Sequence, residues 1–277
     1  MAHNEATISW GETQSGMSPS MGDKCSNIGF QEIVGESRAL KHLLQLGMKA
    51  GGNDAPLLIL GEAGSGKESI ARAIHRISRR RKESFVKVNC AVAAEWLGAE
   101  LFGDATEALD CGKSGCLQMA HQGVLFLDEI ADVPSDLQAR LLRLLEHQEF
   151  ERLDGKPSIP VNVRLIASTK YDLGEQVGEQ TFLGDLYDRL NVFPIRVPPL
   201  RERREDIPFL ARYFMQMFAR RMNKQIESIP ADAMTFLMSS DWPGNIRQLE
   251  NLIEQSVIST DGPTLQVPSD CRELGLL

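Results

Sequence analysis

The chain has 277 residues, 42% of them hydrophobic, enough for one large domain or a core with a smaller satellite. Its formal net charge of −8 argues against sequence-independent binding to nucleic acid over the whole surface. No apolar stretch approaches the ~18 residues that span a bilayer, the acidic start MAHNEATISWGE lacks the apolar region of a secretory signal, and the cysteines (Cys25, Cys90, Cys111, Cys116, Cys271) lack zinc-site spacing, which together point to a reduced, cytoplasmic chain.

Residues 1–27, rich in Ser, Gly and Met, are expected to form a flexible lead-in. Ser37 is placed to cap a helix running to about Met48, with Leu40, Leu43, Leu44 and Met48 on one face. Pro56 to Leu60 predicts a strand covered on both faces. A glycine-rich stretch follows at 61–68, then a helix over 69–79 with Ile70, Ala71, Ile74 and Ile77 close to a 3.6-residue period. The basic run Arg79 to Lys82 reads as a solvated helix end in preference to a nucleic-acid contact. Phe85 to Val88 predicts a short strand leading to Asn89, and a helical stretch continues to about Phe102. The segment 103–122 has no strong period.

Val124 to Leu127 predicts a buried strand that ends on Asp128-Glu129. Pro134 and Ser135 open the next helix, where Ser135 and Gln138 match a capping box and Leu137, Leu141, Leu144 and Leu145 form a buried stripe. Glu149 to Leu153 and Val161 to Ala167 read as strands around a turn at Asp154-Gly155, with a further strand near Val192–Val197. From Asp206 onward only helices are expected, at about 207–222, 231–239 and 246–259. Alternating strands and helices followed by helices alone predict an α/β core with a C-terminal all-helical lid. The expected boundaries are 1–27, 28–200 and 201–277, with no room after the last helix for a DNA-binding helix-turn-helix.

Strand, glycine loop with Lys, then helix is the arrangement that holds nucleotide phosphates. Gly61, Gly64 and Gly66 let the backbone turn its amides inward, with Glu62, Ala63 and Ser65 filling the loop. The helix start adds its positive dipole end, and Lys67 brings a charge to the outer phosphates. Glu68 stands where most such loops carry Ser or Thr. The strand ending in Asp128 and Glu129 supplies the other half: Asp128 to hold magnesium and Glu129 to activate the attacking water.

These residues, with VNCA at 88–91, ELFG at 100–103, LFLDEI at 125–130, VRLIAST at 163–169, PPLRER at 198–203 and WPGNIRQLEN at 242–251, resemble the central AAA+ domain of bacterial enhancer-binding proteins, the ATPases that activate sigma-54 RNA polymerase. The resemblance covers about 30–260, and Glu68 is usual within it. It implies an AAA+ P-loop core with a parallel sheet, ATP and Mg2+ as cofactors, and a ring of subunits, hexameric in the family. It further implies that Asn89 restrains Glu129, that Thr169 senses the γ-phosphate, and that Arg247 contacts nucleotide from the lid. Arg189 would reach the ATP of the next subunit; read without the family, it would be a surface ion pair with Asp185.

The sequence departs from the family in several places. Where the family has its sigma-54-contacting GAFTGA loop, this chain has Asp104-Ala105-Thr106-Glu107-Ala108-Leu109-Asp110-Cys111-Gly112. Leu183 replaces the first of two interface arginines, and Lys170 follows Thr169 where Asn is usual. The expected function is therefore an ATP-binding transcription regulator of the sigma-54 activator type. Its rivals are a nucleotide-responsive interaction protein with weak or no ATPase activity, acting with a related subunit, and a regulator of a different sigma factor.

Overall fold

A computed structural model describes residues 33–103, 115–151 and 158–267. In chain order the core contains α1 (Arg38–Gly51), β1 (Leu57–Leu60), α2 (Lys67–Ile77), β2 (Phe85–Asn89), α3 (Ala94–Phe102), α4 (Gly115–Met119), β3 (Val124–Asp128) and α5 (Ser135–His147). It continues with β4 (Glu149–Phe150), β5 (Ile159–Pro160), β6 (Arg164–Thr169), α6 (Leu173–Gly178), α7 (Gly184–Leu190) and β7 (Pro194–Arg196). The lid is α8 (Ile207–Arg221), α9 (Ala231–Ser239) and α10 (Asn245–Ser259).

Five parallel strands lie in the order β2-β3-β6-β1-β7. Alternation along each strand divides the core between the two sheet faces. Leu57, Ile59, Val124 and Phe126 face the helices α1 and α2, whereas Leu58, Leu125 and Leu127 face α3, α4, α5 and α7. The register sets Asn89 beside Asp128 and Leu60 beside Thr169, so the carboxyl ends of β1, β2, β3 and β6 converge on one edge. Ligands of open α/β sheets bind at such an edge. A separate apolar core, including Phe214, Phe218, Trp242, Leu249 and Leu252, holds the lid together.

Several local expectations are corrected. Val161 to Ala167 is not the partner of Glu149: the small antiparallel pair is β4 with β5, while Arg164–Thr169 runs in the main sheet. Arg164 explains the split, because its fully buried guanidinium donates to Ala50 O at 2.7 Å and anchors the foot of β6. The capping box does not form. Pro134 is the N-cap, and the Gln138 side chain turns inward instead, donating to Val133 O and Thr181 O and accepting from Leu183 N at 2.7 Å. Arg80 is not a solvated helix end. It donates to the carbonyls of Gln122, Gly123 and Asn162 and to Asn162 Oδ1, pinning the loop before β3.

Ser37 caps α1 as expected, accepting from Leu40 N at 3.2 Å. Its hydroxyl also donates to the fully buried Asp206 at 2.7 Å, and Asp206 accepts from Glu36 N and Ser37 N, which ties α1 to the start of the lid. The segment 1–27, the turn at 154–155 and the loop 104–112 lie outside the described residues. Among the described residues, no helix is long and apolar enough to cross a membrane.

Candidate functional site

The loop between β1 and α2 turns through left-handed backbone at Gly64 (φ 72°) and Gly66 (φ 101°). A side chain at Gly64 is excluded: its Cβ would lie 2.3 Å from Gly244 O. Gly61 N donates to Thr169 O at 3.1 Å, fastening the loop to β6. Lys67 begins α2 and is 6% exposed. Its ammonium donates to Gly61 O (2.9 Å), Glu62 O (3.3 Å) and Glu129 Oε1 (3.0 Å).

Glu129 reaches Lys67 because its backbone is left-handed (φ 57°) where β3 gives way to a short 3₁₀ turn at Ile130–Asp132. A non-glycine residue held there is a strained position that recurs at functional sites. The other carboxylate oxygen of Glu129 accepts from Lys170 N at 3.1 Å. Asp128 Oδ1 accepts from Ser168 Oγ at 2.6 Å, and its Oδ2 lies 3.4 Å from Lys87 Nζ. Lys87 also donates to Glu68 at 2.6 Å, while Arg72 holds Glu68 from one helical turn on, at 2.8 Å. Burial works against the Glu68 carboxylate, but the hydrogen bonds from Lys87 and Arg72 outweigh it and keep its pKa below the ordinary value. Burial likewise opposes the Lys87 charge, and the hydrogen bond to Glu68 together with the negative charges of Glu68 and Asp128 outweighs it, raising the ammonium's pKa.

The donor set suits magnesium, which keeps several waters and takes one or two carboxylates plus phosphate oxygens. Asp128 offers that carboxylate, and no cluster of three or more His, Cys, Asp or Glu among the described residues forms an all-protein cage.

The lid closes over the outer side of the phosphate loop. Asn245 is fully buried, accepts from Leu200 N (2.7 Å), and donates to Glu62 Oε2 (3.0 Å) and Ala63 O (3.1 Å). Gly64 O accepts from Ile246 N and Arg247 N, and Ser65 O accepts from the buried Arg203 at 2.6 Å. Arg201 grips Glu62 with both terminal nitrogens (2.9 and 2.6 Å). Those hydrogen bonds, Arg201 first and Asn245 second, lower the Glu62 pKa to about 2. Beside this contact lies a cavity of about 340 Å³, lined by Ile33, Val34, Ser65, Tyr213, Phe214 and Ile246 among others. Its lining mixes these apolar groups with Arg72, Arg76, Arg203 and Glu250 next to the loop.

Residues 33–196 match the family described as the Sigma-54 interaction domain, and residues 201–271 match the AAA+ ATPase lid domain. The chain belongs to the sigma-54 interaction AAA+ family. It is similar to the DNA-binding transcriptional activator HyfR of Escherichia coli (49% identical over 257 residues), covering 91% of this chain and 38% of HyfR. The formate hydrogenlyase transcriptional activator FhlA of E. coli is 48% identical over 242 residues, covering 86% of this chain and 35% of FhlA. The structure of NtrX from Brucella abortus in complex with ATP superposes with a TM-score of 0.79 at 43% identity, covering 83% of this chain and 51% of that one. The chain thus spans about a third to a half of the length of these relatives.

Within this sigma-54 interaction domain the expected residues fall into groups. Gly61 to Glu68, Asp128, Glu129 and Thr169 converge at the sheet edge. Thr169 is fully buried, and its hydroxyl accepts from Tyr171 N at 3.0 Å. Arg247 stands at the start of α10, its amide on Gly64 O. Asn89 sits at the end of β2, where its side chain accepts from Ala91 N at 3.1 Å. Arg189 is exposed on α7 and pairs with Glu146 at 3.2 Å, not with Asp185. Lys87, Ser168, Arg201, Arg203 and Asn245 were not singled out from the sequence. The last four lie inside motifs that were, so motif membership was their available signal.

Proposed function

We propose that this chain is the ATP-hydrolysing core of a sigma-54-type transcription regulator, working in the cytoplasm as a homo-oligomeric ring, with 28–200 as catalytic core and 201–277 as lid. The observation that carries the reading is the direct contact of Lys67 Nζ with Glu129 Oε1 at 3.0 Å, with Asp128 adjacent. It puts the phosphate-binding cation and the water-activating base within one hydrogen bond. When ATP enters, its outer phosphates compete for the Lys67 ammonium, and Glu129 is released to take the proton of the attacking water. Asp128 would hold magnesium, which would neutralise charge on the transferred phosphate. Arg189 would serve the neighbouring subunit's nucleotide, and Thr169 and Arg247 would report its phosphate state to the sheet and lid.

Glu129→Gln tests this. Nucleotide binding should persist while turnover falls at least about a hundredfold. Turnover unaffected by that change would overturn the assignment.

The departures favour a second reading. Leu183 occupies the first interface-arginine position and 104–112 lacks the GAFTGA residues, so coupling to sigma-54 and to the next subunit is altered. The second reading is thus a nucleotide-responsive co-regulator with weak or no ATPase activity, joining a related AAA+ subunit; a regulator of a different sigma factor is a third. Incubation with sigma-54 and a transition-state mimic of ATP separates the first from the others: capture supports the activator, and its absence supports the other two.

A further inference from the structure

The Lys87 ammonium lies within reach of two carboxylates from different elements. It is 2.6 Å from Glu68 Oε2, at the start of α2, and 3.4 Å from Asp128 Oδ2, at the end of β3. All three side chains are partly screened from solvent, at 35, 36 and 24% exposure. The strand pattern explains the placement. Val88 is buried in the core on one face of β2, so Lys87 must project to the other, where α2 packs. Other nucleotide loops have a hydroxyl at the Glu68 position that serves as a magnesium ligand. Here a carboxylate stands there instead, already held by Arg72 and Lys87. Without Lys87, Asp128 would lose its ammonium partner and Glu68 would keep only the pair with Arg72, leaving net negative charge at the metal position, an arrangement that attracts a divalent cation with or without nucleotide.

We propose that Lys87 is a positioning residue that makes divalent-cation binding conditional on nucleotide, its ammonium standing in for the cation's charge between Glu68 and Asp128 in the empty site. The cation then enters only with phosphate oxygens, which supply the ligands and the negative charge that Lys87 otherwise cancels. This rests on the ATP-site reading above and adds to it a rule for the order of assembly. It also gives Glu68 a use: its carboxylate holds Lys87 over Asp128.

The test is a titration of Mn2+ into the nucleotide-free chain, with free Mn2+ followed by electron paramagnetic resonance. Lys87→Met should bind Mn2+ about tenfold or more tightly than the unaltered chain. Lys87→Arg, which keeps the charge, should bind like the unaltered chain. Lys87→Met combined with Glu68→Gln should fall back to the unaltered affinity, because one of the two carboxylates is gone. Lys87→Gln repeats the first comparison with a polar side chain, should the methionine variant fold poorly. Equal Mn2+ affinity in the unaltered chain and in both uncharged variants would overturn the proposal. Metal-free ADP binding, measured in parallel, reads the nucleotide site separately: its absence in the unaltered chain would refute the ATP-site reading and leave the Mn2+ comparison interpretable.

Discussion

Arg201 and Arg189 are both exposed arginines paired with a glutamate, yet the bonds around them differ sharply. Arg201 makes a two-pronged contact with Glu62, whose carboxylate is also fixed by the buried Asn245. Around it, Glu62, Ala63, Gly64 and Ser65 are each held by a residue of the lid or its hinge. Arg189 makes a single contact with Glu146 at 3.2 Å, and its side chain remains 56% exposed. Its neighbours Leu183 and Val192 are also exposed, at 36% and 58%. The region that binds nucleotide within one chain is therefore assembled by bonds that need no partner. On the face expected to meet the next subunit, the Arg189 side chain is held by a solvated ion pair, which is worth little and easily exchanged.

The sharpest way to break this comparison is Arg189→Ala. If α7 serves a neighbour's nucleotide, turnover of the assembled protein should fall roughly a thousandfold, while the urea midpoint of the monomer moves by less than about 0.5 kcal/mol equivalent. Steady-state ATPase and equilibrium unfolding together check both halves. A large loss of stability with unchanged turnover would place Arg189 in the structural half of the molecule. Leu183→Arg probes the same face in the other direction, and turnover should rise if the missing arginine limits it.

On the preassembled side the strongest effect is expected at Asn245. Asn245→Ala removes donors to Glu62 and Ala63 and the acceptor for Leu200 N, at a residue with φ of 54°. Leaving those buried groups unpaired should cost about 3 kcal/mol. Asn245→Gly should recover roughly 1 kcal/mol of that, because glycine accepts the left-handed backbone. Chemical denaturation of the two variants checks the difference. Equal midpoints would mean that the backbone conformation contributes nothing.

Much of this division was legible in the sequence. The apolar runs at 57–60 and 124–127 and the glycine loop declare a buried parallel sheet and its phosphate site, because each is a local pattern. What was not legible depends on pairing across long separations. Gln138 follows Ser135 at capping-box spacing, but the N-cap position falls on Pro134, whose ring makes no cap hydrogen bond, and tertiary partners at Thr181 and Leu183 claim its amide. Arg164 begins a run that continues smoothly from Val161, so nothing local separates β5 from β6; the break is set by carbonyls at Ala50 and Ala55. Lys87 looks like an ordinary outward strand residue until Glu68 and Asp128 are brought beside it. Arg189 illustrates the same limit, since its partner Glu146 lies on a different helix.

The smallest expected effect sharpens the comparison by pH. Glu62 ionises at about 2 in the folded chain against an ordinary 4.5, chiefly through the hydrogen bonds from Arg201 and Asn245. A folded-state pKa below the unfolded one means that the unfolded chain takes up the proton first as pH falls. The Glu62 contribution to stability is therefore fully present above 4.5 and drains away between 4.5 and about 2. The Glu68 pKa is lowered too, so the absolute acid-unfolding curve mixes the two. The difference between the unaltered chain and Glu62→Gln isolates the first. That difference should be constant from roughly pH 6 to 8 and should shrink below 4.5. Because both partners are about 40% exposed, water screens the pair, and the plateau should stay well under the effect at Asn245. A plateau as large as the Asn245→Ala loss would reverse the ranking and make the ion pair, rather than the buried amide, the main tie between phosphate loop and lid.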